Sequence, residues 1–260
     1  MSQKKGIRFL YGVPAAMAGR TLIISDLHVG VEERLFSRGV RLGAVSDGML
    51  ESIRRIAREN GIKRIAITGD VKERIEAPDA QAMEFFAKLS RIGKVIVARG
   101  NHDGGIERIP GIEVIGAQGG IIRAGGMKIG LFHGHAAPDA KLLGCDAIFC
   151  GHEHPTVEMA NEFGGVSRFH AWIRVPIDYA RAKKAYARAN RRCAAYIVPP
   201  FNPALGGQAL NRRGAAMMGP AFKNGIFKLS GAEIIMLEGA SLGALFEAKK
   251  GEKITVTKNR

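Results

Sequence analysis

Five short apolar runs lie between residues 22 and 154, and each ends in a side chain built for polar chemistry. Leu22-Ile23-Ile24 runs into Ser25-Asp26-Leu27-His28, and Ile65-Ala66-Ile67 into Thr68-Gly69-Asp70. Val95-Ile96-Val97-Ala98 leads to Gly100-Asn101-His102-Asp103, Ile129-Gly130-Leu131-Phe132 to His133-Gly134-His135, and Ala147-Ile148-Phe149 to Gly151-His152-Glu153-His154. Unbroken runs of branched and aromatic residues do not alternate with polar ones, so they read as strands covered on both faces. Few folds cover strands in this way.

Between the first three runs lie helical patterns. Ser46 can cap a segment in which Met49, Leu50, Ile53 and Ile56 share one face, with Arg54, Arg55 and Arg58 elsewhere, and Gly61 ends it. Residues 79–91 repeat the pattern with Met83, Phe85, Phe86 and Leu89. Strands alternating with helices predict an α/β fold, and beyond about residue 112 strands dominate. No internal repeat, low-complexity tract or linker divides the sequence. It reads as one domain over residues 1–260, with a basic helical and then Pro/Gly-rich segment at about 172–215.

Six of the seven histidines fall at the five run ends; only His170 does not. Taken singly, each spot is an ordinary turn, since Asn, Asp and Gly suit turns without any ligand. Together they are harder to explain that way. The steps from Asp26 to Asp70, Asn101, His133 and His152 are 44, 31, 32 and 19 residues. The longer ones leave room for a helix and a return, so all five spots can meet at one edge of a sheet. Ligand sites of α/β sheets lie at the carboxyl ends of strands. Asp, Asn and His donors without thiolate suit borderline-hard divalent ions.

The ordered set Asp26-x-His28, Gly69-Asp70, Gly100-Asn101-His102-Asp103, His133 and Gly151-His152-x-His154 resembles the calcineurin-like metallophosphoesterase family, over residues 21 to about 155. The resemblance implies a four-layer α/β/β/α sandwich with two divalent metal ions at the sheet edge. Manganese is the first choice, with Fe, Zn or Ni as alternatives. It implies that Asp26, His28 and His154 hold one ion, that Asn101, His133 and His152 hold the other, and that Asp70 bridges them. By the same resemblance His102 is the acid beside the leaving group, with Asp103 orienting it. His135 extends the fourth motif to H-G-H, as a neighbour of the ligands or a substrate contact. "SDLHVGVEERLFSRGVRL", "WIRVPID" and "VPPFNPALGGQALN" are similar to stretches of the archaeal SbcD-related and the bacterial ligase-associated DNA-repair phosphoesterases. That closer likeness implies a nuclease-like activity in DNA repair and allows a partner ATPase or helicase.

Substrate has to be read from charge. Lys and Arg number 39 against 24 Asp and Glu, a net +15, which favours polyanionic partners. Six cations crowd residues 181–192 in "YARAKKAYARANRR", an alanine-rich stretch that reads as a helix, with Tyr179 and Tyr186 interleaved. Lys183, Lys184, Arg188 and Arg191 are therefore candidate phosphate contacts, with Trp172, Arg168 and Arg174 just upstream. A solvated basic face is the plainer alternative. The first expectation is hydrolysis of nucleic-acid phosphodiesters. The second is a phosphatase or cyclic-nucleotide phosphodiesterase for small molecules, and a third is a non-catalytic nucleic-acid-binding protein on the same scaffold. Cys145, Cys150 and Cys193 form no C-x-x-C pair, which suits reduced thiols in the cytoplasm. The uncharged stretch 193–211 carries three prolines and a Gly-Gly pair, so it reads as a loop rather than a membrane span.

Overall fold

The computed structural model describes residues 6–161, 163–212 and 215–245. Its first half builds a six-stranded sheet from β1 (Ile7–Phe9), β2 (Ala16–Ala18), β3 (Thr21–Ile24), β4 (Arg64–Ile67), β5 (Lys94–Ala98) and β6 (Ile112–Ile115), ordered as in the sequence. β3 to β6 run parallel, and β1 and β2 fold back antiparallel. Three helices, α1 (Val31–Phe36), α2 (Val45–Asn60) and α3 (Ala80–Ser90), lie in the crossovers. The second half adds β7 (Gly120–Ala124), β8 (Met127–Phe132), β9 (Ala147–Cys150), β10 (Pro155–Ala160), β11 (Val166–Val175), α4 (Tyr179–Ala185), β12 (Ala194–Ile197), β13 (Gln208–Ala209), α5 (Pro220–Lys223), β14 (Glu233–Met236) and β15 (Ser241–Ala244). Its main path is β13-β10-β11-β12-β9-β8-β7, with β14 on β11 and β15 on β14. β8, β9 and β12 are parallel.

Side-chain alternation sorts these residues into three cores and hence four layers. On the first sheet Leu22, Ile24, Ile65, Ile67, Val95 and Val97 face outward onto α2 and α3, meeting Met49, Ile53, Phe85 and Phe86. The residues between them, Ile23, Ala66, Ile96 and Ala98, face the second sheet. There they meet Ile129, Leu131, Ala147, Phe149 and Trp172. The far side of the second sheet, with Ile148, Cys150, Ile173, Ala195 and Ile197, packs beneath α4, α5 and a short 3₁₀ turn at Ala140–Gly144. The two mixed sheets with helices outside are the α/β sandwich the sequence predicts.

Local differences from expectation have local causes. α2 starts one residue before Ser46, which sits in its first turn. Ala44 is the N-cap and no side chain caps the end; Glu32 Oε1 instead accepts from the Ser46 N–H at 3.3 Å. The expected helix over the basic stretch stops at Ala185, because Tyr186 is extended (φ −145°, ψ 112°) and packs its ring beneath the layer. Residues 193–211 are not all loop, since β12 and β13 occupy both ends. Among the described residues no helix is long and apolar enough to cross a membrane.

Candidate metal centre

Parallel pairing puts the carboxyl ends of β3, β4 and β5 on one edge, and those of β8 and β9 on the facing edge of the second sheet. All five polar spots leave the sheets there. The first two loops stay zipped beyond the strands: Asp26 N donates to Gly69 O at 3.1 Å and His28 N to Asp70 O at 3.0 Å. Glycine allows the remaining approaches. A Cβ at Gly100 would lie 2.1 Å from Asp70 Oδ1, and one at Gly151 would lie 2.2 Å from Ser25 Oγ. That is why Asn101 and His152 each follow a glycine.

The backbone is strained at these spots. Among the described residues the non-glycine positions with positive φ are Asp26, His28, Asp70, His152 and His154, at φ 40–73°. Every one is a candidate ligand. Such conformations cost roughly 1–3 kcal/mol each and persist only where the surroundings impose them.

Three groups of donor atoms gather within 4.8 Å of one another: Asp26, His28 and His154; His28, Asp70 and His102; and Asp70, His133 and His152. Asp70 occurs in two of them, between His28 and His133. Asn101 Oδ1 reaches the same place, 3.1 Å from His133 Nε2.

The hydrogen bonds show that these atoms fit a cation. His133 Nδ1 donates to Thr68 O at 2.8 Å, which leaves Nε2 a bare lone pair in the neutral ring. That lone pair faces Asp70 Oδ2 at 3.3 Å and Asn101 Oδ1, so acceptors face acceptors. His28 repeats the arrangement. Its Nδ1 donates to Glu73 Oε2 at 2.8 Å, and its buried Nε2 has no hydrogen-bond partner and points at Asp70 Oδ2, 3.5 Å away. His154 Nε2 lies 3.2 Å from Asp26 Oδ1. Only a proton or a metal ion between these atoms turns the contacts attractive. Without metal the cluster draws in protons. Burial opposes charge on His133, yet Asp70 and Asp26 push its pKa up to about 9. Burial would raise Asp70 and Asp26, but the neighbouring imidazoles hold both below the usual carboxylate range. His152, desolvated and beside His133, is pushed down to about 4.

Support comes from residues that sequence reading passed over. Glu73 turns the His28 ring and is itself paired with Arg34. Its place three residues after Asp70, in "TGDVKE", was the available signal. Glu153 is buried and accepts from Met218 N at 3.0 Å and Gly219 N at 2.7 Å, tying a later loop to the His152–His154 turn. Asn202 of the "PPFNP" stretch is fully buried, and its Nδ2 donates to Leu27 O at 2.7 Å. That stretch therefore braces the Asp26–His28 turn from below.

The other expected residues divide. His102 lies in the cluster: its N–H donates to Asp70 Oδ1 at 2.8 Å, and its ring Nδ1 donates to Glu73 O at 2.7 Å. Asp103 does not orient that ring. Its buried carboxylate accepts from the N–H groups of Gly100 (2.7 Å), Asp70 (3.0 Å) and Val71 (2.8 Å), which stitches two loops together. The bond that orients His102 is the one to Glu73 O. His135 stands at the edge, half-buried, its ring centroid 5.3 Å from that of His133 and its Nδ1 without a partner.

Lys183, Lys184, Arg188 and Arg191 lie elsewhere. Asn190 bonds Leu143 O and Cys145 O, just before β9 begins, and β12 starts beside it. The basic stretch thus sits at the opposite end of β9 from His152, roughly 13 Å of strand away at 3.3 Å per residue. Tyr179 is covered by Arg191, whose guanidinium carbon lies 5.7 Å from the ring centroid. Trp172, expected to accompany nucleic acid, is 1% exposed and fills the space between the sheets. Arg168 and Arg174 pair with Glu158 and Glu233. The three cysteines are free and buried.

Residues 20–169 match the family model described as the calcineurin-like phosphoesterase superfamily domain. The crystal structure of Pseudomonas putida nuclease MPE superposes with a TM-score of 0.50 at 19% identity, over 86% of this chain and 89% of that one. Yfce, a phosphoesterase from E. coli, aligns over 86% of this chain and 98% of its own at 14% identity, with a TM-score of 0.42. No curated protein sequence matches.

Proposed function

The chain belongs to the calcineurin-like phosphoesterase superfamily and is a metal-dependent phosphoesterase, and on that premise we propose that it hydrolyses phosphodiester bonds of nucleic acid with two divalent ions, manganese first. The observation that carries the metal reading is the set of acceptor-to-acceptor contacts centred on Asp70. Asp26, His28 and His154 would hold one ion, and Asn101, His133 and His152 the other, with Asp70 between. The ions would supply Lewis acidity: charge for phosphate oxygens and a water of lowered pKa.

The residues of the chain do the rest. Thr68 O and Glu73 Oε2 fix the tautomers of His133 and His28, so that Nε2 is the free donor atom in each. Asn101 contributes a neutral oxygen and leaves the centre more electrophilic than a carboxylate would. His102 has Nδ1–H committed to Glu73 O, so in its doubly protonated imidazolium form the Nε2 proton is the one free to pass to a departing alkoxide, which leaves the ring neutral.

Nucleic acid as substrate is supported by the net charge of +15 and by the surface next to the centre. Residues 36–44, eight positions beyond His28, are exposed without a break. Phe36 is 61% exposed, with Arg41 5.6 Å from its ring centroid and Arg38 between them in sequence. Aromatic faces and guanidinium groups suit bases and phosphates. The resemblance to SbcD-related phosphoesterases includes this stretch and supports a role in DNA repair; the buried free thiols suit the cytoplasm. The deciding experiment compares Mn²⁺-dependent turnover of bis(p-nitrophenyl) phosphate with that of the monoester, then of labelled single- and double-stranded DNA and RNA. Turnover of the diester and of an oligonucleotide is expected. A monoester preference with intact oligonucleotides would overturn the substrate reading.

A further inference from the structure

Lys72 lies two residues past Asp70 and takes no part in the proposed metal set, yet it is among the largest fully buried side chains, 1% exposed. Its ammonium donates toward four backbone carbonyls, sharing three N–H groups among them: Arg74 O, Ile75 O at 3.2 Å, Glu76 O at 2.6 Å and His102 O at 2.6 Å. Three successive carbonyls aimed at one point repel one another, so the turn at residues 74–76 needs a cation at its centre. The fourth carbonyl belongs to another loop. Lys72 therefore fastens two loops to one charge, and Gly104 lets them close, since a Cβ there would lie 2.1 Å from Ile75 O.

The consequence falls on His102. Its N–H is held by Asp70, its carbonyl by Lys72, and its ring Nδ1 by Glu73 O, the residue just before the carbonyl cage. Without the charge, the 74–76 turn would relax and carry Glu73 O with it. We propose that Lys72 is a positioning residue that sets the tautomer and direction of the His102 ring through the carbonyl cage it shares with residues 74–76. This rests on the reading of His102 as the proton donor to the leaving group.

The test uses the full chain with Lys72→Met, which removes the charge, and Lys72→Arg, which keeps a cation. Two esters are compared, bis(p-nitrophenyl) phosphate and diphenyl phosphate, whose leaving group needs protonation more. Bound metal is counted in each variant. For Lys72→Met the ratio of diphenyl to p-nitrophenyl turnover is expected to fall about tenfold or more, while metal content holds. The double variant with His102→Ala should show the same ratio as His102→Ala alone. In the metal-free protein, ¹⁵N signals of the His102 ring should report a single Nδ1–H tautomer in wild type and Lys72→Arg, and a mixture in Lys72→Met. If Lys72→Met does not fold, Lys72→Gln, which keeps two N–H donors, carries the same measurements. Equal losses on both esters, or unchanged ring signals, would overturn the proposal. If wild type turns over neither ester, the phosphoesterase reading fails, and the ring signals still decide the role of Lys72.

Discussion

Where β9 ends, His152 and His154 turn into a cluster of carboxylates and imidazoles with the backbone held at positive φ. Where β9 begins, Cys145 and Leu143 anchor Asn190 and a run of exposed cations on ordinary backbone. The same four-residue strand joins both ends. One end carries strain, buried charge and lone pairs facing one another; the other carries solvated charge that needs nothing further. A large net charge therefore says little about where chemistry occurs. The informative signal is unmet demand: strained residues and facing acceptors that a bound cation would relieve.

The strongest way to break this comparison is at Asp70, the one acid that two of the donor groups share among the described residues. Asp70→Asn keeps the shape, and its Oδ1 can still accept from the His102 N–H. It removes the charge between His28 and His133. Loss of detectable turnover and of bound metal is expected, with the far-ultraviolet circular dichroism of wild type retained. Full activity with full metal content would show that the strained end needs no shared acid.

His102 sharpens the comparison within the strained end, because it sits among the candidate ligands without the facing-acceptor contacts they make. His102→Ala should keep its metal and lose about 10²-fold on a poor leaving group. The loss should shrink on p-nitrophenyl esters. Equal losses would remove the general-acid role.

The place of both residues in the cluster was partly legible in the sequence, and the reasons are physical. The five apolar runs could be recognised because a buried parallel strand tolerates no polar residue, and their ends could be paired with donors because ligands sit where strands stop. Asn101 and His152 carried their own flag, the preceding glycine. The resemblance implies that Asp103 orients His102, whereas its carboxylate reaches back to backbone N–H groups on another loop, at Asp70 and Val71. Lys72 leaves no trace in the sequence: a buried lysine satisfied by carbonyls has no periodicity to announce it, and Glu73 has only its place three residues after Asp70. The basic stretch was over-read as a long helix because alanine propensity is a weak prior that the packing of Tyr186 overrides.

A subtler difference between the two ends is protonic. In the metal-free protein His133 has its pKa raised to about 9, so at pH 7.5 it is charged. A metal ion needs its Nε2 lone pair, so binding must expel that proton. Asp26 and Asp70, held low, are already ionised there and release none. The sign is therefore fixed: proton release on metal binding near pH 7.5, falling away as the pH rises through 9. Titration calorimetry in buffers of different ionisation enthalpy measures it, with release expected from His133 and from His154, whose pKa Asp26 also raises against the effect of burial. No release at pH 7.5 would mean that the facing acceptors are relieved in some other way.

The smallest effect is expected at the other end. Changing Lys183, Lys184, Arg188 and Arg191 together to Gln removes four exposed charges from a surface beyond the start of β9. Turnover of bis(p-nitrophenyl) phosphate should stay within about twofold, because surface changes away from a site rarely propagate. Binding to nucleic acid separates two geometries. A short oligonucleotide confined to the metal centre and the Phe36–Arg41 surface should keep its salt dependence in the variant. A long single strand that wraps from the centre past the start of β9 should lose about 0.7 in the slope of log K against log salt for each phosphate contact removed. Fluorescence anisotropy at several salt concentrations, with Ca²⁺ in place of Mn²⁺ to suppress cleavage, reads both lengths. An unchanged slope for the long strand would make these cations a solvated face. A change for the short strand would break the comparison itself, because it would bring the far end within reach of substrate held at the metals.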